Sequence, residues 1–194
     1  MRLIVNLVLV AVIAGLIWVL YSSISEPIAF QKERKIREDA VIAKLMEIRQ
    51  AQEIFRSVSG AGFAPNFDSL KDVLRNDTVW TIKVEGDPDD PTSVEIFYDT
   101  IPELAMKFVE EYGINLDSLE YVPYSNQKAV FEIQADTMTY QSTLVNVVEV
   151  KTSRKNYMGK YASLRFARYD KSYNPNSIIK FGDMTAPNLS GNWE

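Results

Sequence analysis

LIVNLVLVAVIAGLIWVL, residues 3–20, is an 18-residue run in which Asn6 is the single polar side chain. At 1.5 Å rise per residue it makes about 27 Å of helix, enough to span the hydrocarbon core of a bilayer. Leu3, Val10 and Leu20 are the lipid-facing type of residue throughout it, and Trp18 and Tyr21 close it as an interfacial aromatic pair. A cleavable leader is the rival reading, with Ser23 and Ser25 as the small residues before a cut. Leader apolar regions run to about 7–15 residues, so the length favours a retained anchor over residues 1–25.

Orientation rests on charge. Arg2 precedes the run, while Lys32, Arg34, Lys35 and Arg37 follow it. A literal positive-inside count places the following domain in the cytoplasm. Glu26, Glu33, Glu38 and Asp39 are interleaved with those bases, and a periplasmic domain is the expectation adopted, for the reasons given by the motif and resemblance below.

Working outward, Pro27 is followed by a charged stretch over residues 26–58 in which Val41, Leu45, Ile48 and Phe55 recur at helical spacing. Ile42, Ala51 and Ile54 widen this stripe. It reads as an amphipathic helix packing on its own sheet; a coiled coil with a partner would want a heptad repeat longer than the two present. Gly60 suits the left-handed position after the helix, and Asp68 reads as the N-cap of a short helix to about Arg75.

Strands are predicted over Thr78–Glu85 and Ser93–Tyr98, with a turn across Gly86–Pro91. A second amphipathic helix is predicted over Ile101–Tyr112. Ala129–Ala135 and Met138–Thr152 alternate as a hairpin or meander, with Val130, Phe131, Ile133, Leu144, Val145, Val147, Val148 and Val150 pointing inward. Tyr157–Arg168 is expected to be helical and Ser177–Phe181 a strand. The expected class is α+β: a transmembrane helix, then a long amphipathic helix packed on a mainly antiparallel sheet, with residues 59–194 as one domain.

Composition narrows the chemistry. The chain has no Cys and no His, which removes disulfides, thiolate sites, the commonest general base and the commonest zinc ligand. Its net charge is −5, a poor match to nucleic acid. Asp87, Asp89 and Asp90 resemble a calcium loop only superficially, because two prolines interrupt them and the turn glycine is missing. No enzyme activity, cofactor or metal is expected. Tyr157, Tyr161, Arg165, Arg168 and Trp193 belong to a basic, aromatic C-terminal third and are the expected partner surface, although tyrosines packed along the sheet give the same pattern.

Asp followed by Ser or Thr and then an aliphatic residue or Met occurs five times, placing Ser69, Thr78, Thr100, Ser118 and Thr137. Composition predicts roughly 0.6 such matches. Asp-Ser and Asp-Thr also serve as caps and turns. The pattern resembles the acceptor motif of an O-glycosylation system acting on extracytoplasmic proteins of some didermic bacteria, which implies glycans at those positions.

From Ala40-Val41-Ile42-Ala43-Lys44-Leu45 through Ile48-Arg49-Gln50-Ala51-Gln52-Glu53-Ile54-Phe55, then Gly60, Phe63 and Phe67-Asp68-Ser69-Leu70, the chain resembles the N-terminal half of type IV pilins and type II secretion pseudopilins over about residues 27–74. The remainder, including Gly191-Asn192-Trp193-Glu194, is similar to a family of membrane-anchored bacterial envelope proteins with the same beginning. No Gly precedes a pilin-like cleavage site and no Glu stands fifth in the apolar helix, so ordinary filament assembly is not implied. The resemblance implies a non-enzymatic, inner-membrane-anchored periplasmic subunit of a secretion or pilus-like machine. Its partners would be the bilayer, other envelope-machinery proteins and further copies of itself. The alternatives are an assembly-platform protein dimerising through a coiled coil below a ferredoxin-like domain, or a tethered glycan- or lipid-binding module.

Overall fold

The computed structural model describes residues 2–60, 62–85 and 97–194. The expected turn at Gly86–Pro91 and the start of the second strand, Ser93–Ile96, lie outside the described residues.

One helix, α1, runs unbroken over Arg2–Ser59, about 87 Å at 1.5 Å per residue. It carries Pro27 inside it, so the anchor and the amphipathic stretch are one rod rather than two helices joined at a break. Its apolar N-terminal part is long and apolar enough to cross a membrane, and none of that part is buried. Farther along, Phe30, Val41, Leu45, Ile48, Ala51, Gln52, Ile54 and Phe55 are buried, the three-to-four spacing of a single face. Gly60, at φ +84°, ends the rod in the left-handed region, its N–H donating to the Arg56 carbonyl at 3.0 Å.

Helix α2 spans Phe67–Asn76. Its N-cap is Asn66, whose side chain accepts from the Ser69 N–H; the expected cap, Asp68, falls two residues too late and lies within the first turn. Strand β1 (Thr78–Glu85) matches the expected span and pairs antiparallel with β2 (Phe97–Leu104). The predicted helix over Ile101–Tyr112 is therefore corrected. Ile101–Leu104 continue β2 opposite Thr78–Thr81, and helix α3 occupies only Ala105–Glu111. Pro102 is tolerated opposite Trp80 because each strand of this two-stranded sheet has an open edge.

A second sheet has the order β3-β4-β5, all antiparallel, from β3 (Glu132–Tyr140), β4 (Thr143–Ser153) and β5 (Ile178–Gly182). Its hairpin turns at Gln141 and Ser142, both at positive φ (+47° and +67°), several residues later than the predicted break. Of the expected inward set, Phe131, Val147, Val148 and Val150 are buried, Ile133 and Val145 half-buried, and Val130 and Leu144 exposed. The chain's last residues pair along β5: Asn192 donates to Lys180 and Gly182 to Ser190.

Tyr157–Arg168 is not one helix. A short helix α4 (Lys155–Met158) gives way to single 3₁₀ turns at Gly159–Tyr161 and Leu164–Arg168. Gly159 at φ +54° and Ser163 in extended conformation interrupt it. The core lies where the α1 face meets Leu70 and Leu74 of α2, Ala105 and Val109 of α3, and Val148, Val150, Ile179 and Phe181 of the second sheet. The fold is α+β, a long apolar N-terminal helix with small antiparallel sheets packed on its C-terminal half.

Candidate functional site

The buried face of α1 extends below Val41 through Arg37, Arg34 and Phe30, again at steps of three and four. Onto this lower part folds the segment from Arg154 to Tyr173. Phe30 is fully enclosed there: it stacks on Phe166 at 5.2 Å between centroids and meets the edges of Tyr173 at 4.9 Å and Tyr161 at 5.6 Å. Offset and edge contacts of this kind add about 0.5–1.5 kcal/mol per pair beyond burial.

Ion pairs surround the rings. Arg34 bonds Glu38 at 3.2 Å and also Asp170; Arg154 reaches the same Glu38 at 2.7 Å. Arg37 holds Glu33 at 3.0 Å and donates to the Tyr157 carbonyl at 2.7 Å. Gly159 makes room for that guanidinium, since a Cβ there would lie 3.2 Å from it. At the bottom, Glu26 receives Arg168 at 2.8 Å, Arg165 at 3.7 Å and the Tyr169 hydroxyl. The Tyr169 hydrogen bond, opposed by burial and aided by the two arginines, holds the Glu26 carboxyl below the usual range. Hydrogen bonds from Ser172, aided by Arg34, do the same for Asp170. The arrangement is a clasp: it fastens the domain to the rod just beyond the apolar run.

Tyr157 and Tyr161 were expected on a partner surface and are instead buried in the core. Burial, reinforced by Glu38 and opposed by Arg154, pushes the Tyr157 hydroxyl far above the ordinary tyrosine range. Arg165 and Arg168 are exposed and belong to the clasp. Trp193 is half-buried, its ring lying over Gly191. Val41, Leu45, Ile48 and Phe55 pack into the chain's own core. Leu3, Val10, Trp18, Leu20 and Tyr21 are exposed along the rod.

Of the five acceptor-like positions, Ser69 lies in the first turn of α2, Thr78 opens β1, and Ser118 sits in a 3₁₀ turn, where it receives a long 3.4 Å hydrogen bond from Lys44. Thr100 and Thr137 are exposed in the middle of β2 and β3, and Thr137 donates to Asn146 at 2.7 Å.

Sequence reasoning missed a second feature. Trp80, Pro102 and Leu104 share one face of the β1–β2 ribbon by register, with Trp80 64% and Leu104 60% exposed. The alternation around Val79 carried that signal, because burying Val79 turns Trp80 outward. An open groove of about 770 Å³ separates the C-terminal end of α1 from β4, lined by Arg56, Phe63 and Leu144 among others. Among the described residues no three acidic side chains converge as metal ligands.

Fold and clasp together define an α+β domain built onto one long helix whose exposed apolar end could serve as a single membrane anchor. Comparisons with models of known families, with curated proteins and with solved structures find no match.

Proposed function

We propose that this chain is a non-enzymatic, inner-membrane-anchored periplasmic subunit of a bacterial envelope assembly of the secretion or pilus-like kind, working through protein contacts. The observation that carries this reading is the continuity of α1. One helix is bare and apolar at one end and forms the spine of the domain's core at the other, so the domain is positioned by its anchor rather than tethered to it. Such a rod suits a subunit that must present a surface at a fixed height above a membrane. The Trp80–Pro102–Leu104 face is the surface available for a partner, since exposed aromatics beside apolar residues are the composition of contact cores. The coiled-coil alternative is disfavoured, because Leu45 and Ile48 are already enclosed by the domain.

The test is co-purification of tagged, natively expressed protein in mild detergent, with mass spectrometry of what accompanies it. Stoichiometric envelope-machinery components, lost on Trp80→Glu while the fold is kept, are expected. A clean monomer or homodimer would sink the assembly reading.

A further inference from the structure

The end of the domain nearest the anchor is basic although the chain is acidic. Residues 26–39 and 154–173, which the clasp brings together, hold ten Lys and Arg against five Asp and Glu, a net of +5. Residues 40–153 and 174–194 hold ten against 21, a net of −11. Residues 26–39 are neutral, four of each sign, and residues 154–173 carry the excess, six against one; the fold sets both at one end.

Depth follows from helix geometry. Glu26 lies six residues beyond Leu20, about 9 Å along the axis. The polar layer flanking a bilayer's hydrocarbon core is about 5–7 Å thick on each side. Arg168 and Arg165, paired to Glu26, hold the Leu164–Arg168 turn just outside that layer, within an arginine side chain's reach of the headgroup phosphates. There Leu164 is 61% exposed, and the side chains of Arg165 and Arg168 are 63% and 59% exposed. One carboxylate shared by two guanidiniums leaves a positive charge and several N–H donors uncommitted, in the planar geometry that binds phosphate oxygens. An apolar side chain flanked by arginines at the outer edge of the headgroups is an interfacial contact by composition.

We propose that this end of the domain, Leu164 with Arg165 and Arg168, docks on the anionic headgroup surface of the bilayer that holds the anchor. Docking fixes the rod's tilt and the direction in which the distal, acidic surface points. The proposal rests on the anchor reading alone and is independent of which assembly the chain joins.

The absence of Cys makes Leu164→Cys a unique attachment point for an environment-sensitive fluorophore. The full chain is reconstituted through its own helix into vesicles of phosphatidylcholine alone, or of equal parts phosphatidylcholine and phosphatidylglycerol. In anionic vesicles the label should shift to the blue and brighten, and should revert at high salt. The same label at Leu144→Cys, on the distal hairpin, should stay aqueous in both. Adding Arg165→Gln should lower the ratio of docked to undocked label about fivefold, from the usual worth of one cation near an anionic surface, and Arg165→Lys should restore it. Circular dichroism confirms that each variant is folded. A Leu164 label that stays aqueous in anionic vesicles, or that is immersed equally in neutral ones at any salt, overturns the proposal. Flotation separates the two failures: a chain that floats with an aqueous label loses the docking alone, whereas one that does not float loses the anchor and the docking with it.

Discussion

Gln52 stands in the middle of the buried α1 face with its amide fully used. Its Nε2 donates to the Ala64 carbonyl at 3.1 Å and its Oε1 accepts from the Ala64 N–H at 2.9 Å. Sequence spacing places residue 52 on the stripe, four after Ile48 and three before Phe55, but gives no hint of a reciprocal bond to a loop residue. Gln52→Leu strands both backbone groups and should cost about 2–6 kcal/mol at roughly 1–3 per buried group, read by chemical unfolding in mild detergent. Gly182 is constrained differently: at φ +77°, a Cβ would lie 2.0 Å from the Val148 carbonyl oxygen, so β5 passes β4 there only as glycine. Charge adds a pH dependence. Burial raises the Glu149 pKa, but hydrogen bonds from Lys151 at 2.8 Å and Lys180 at 2.5 Å outweigh it and hold the carboxyl below its ordinary value. A depressed folded pKa stabilises fully above the unfolded value, about 4.3, and that share is lost as pH falls through the folded one. The unfolding midpoint should therefore be level from neutral pH to about pH 5 and decline below about pH 4, and Glu149→Gln should flatten the decline.

At the scale of elements, α1 is both the most legible part and the one whose meaning changed least. Val41, Leu45, Ile48 and Phe55 announce a face by their spacing, and the structure fills that face with the chain's own core. Leu45→Ala should then destabilise the domain by about 2–5 kcal/mol. Polar residues at Leu45 and Ile48 should unfold it, where a coiled-coil seam would lose only its dimer; near-UV circular dichroism with sedimentation distinguishes the two. The β3–β4 turn shows why boundaries were harder. Asp136-Thr137 looks like turn chemistry, yet both residues are exposed members of a strand that continues to Tyr140. The real turn uses Gln141 and Ser142, neither of them the Asn, Asp or Gly that positive φ favours. Replacing them with Asn-Gly should stabilise the hairpin by about 1 kcal/mol, since non-glycine residues carry about that strain there. Ile101–Leu104 misled for another reason. With Phe108 they fit a helical period, but pairing with Thr78–Thr81 is a contact between segments that no local pattern encodes. The clasp escaped sequence reading on the same ground: Glu26 and Arg168 are far apart in the chain and ordinary in composition.

Across the whole molecule, the five acceptor-like positions all fall within residues 40–153, away from the basic end, and the structure separates them into two kinds. Asp68, Asp77 and Asp117 lie at helix or turn ends, where Asp followed by Ser or Thr needs no further cause. Asp99 and Asp136 do not: each lies within a strand, where Asp is disfavoured, and each precedes an exposed Thr. Position at a helix or turn end therefore accounts for three matches and leaves Thr100 and Thr137 as the ones that favour modification. If the domain is periplasmic and glycosylated, the intact mass of protein from its native host should exceed the bare chain by a whole number of equal increments, and Thr137→Ala should remove one. The substitution itself should be mild, since it removes one exposed hydrogen bond to Asn146, worth about 1 kcal/mol. A native mass equal to the bare chain would reverse more than the modification. The bases that follow the apolar run, now joined by those of residues 154–173 at the same end, would then stand as the remaining guide to orientation, and the positive-inside rule would place the domain on the cytoplasmic side.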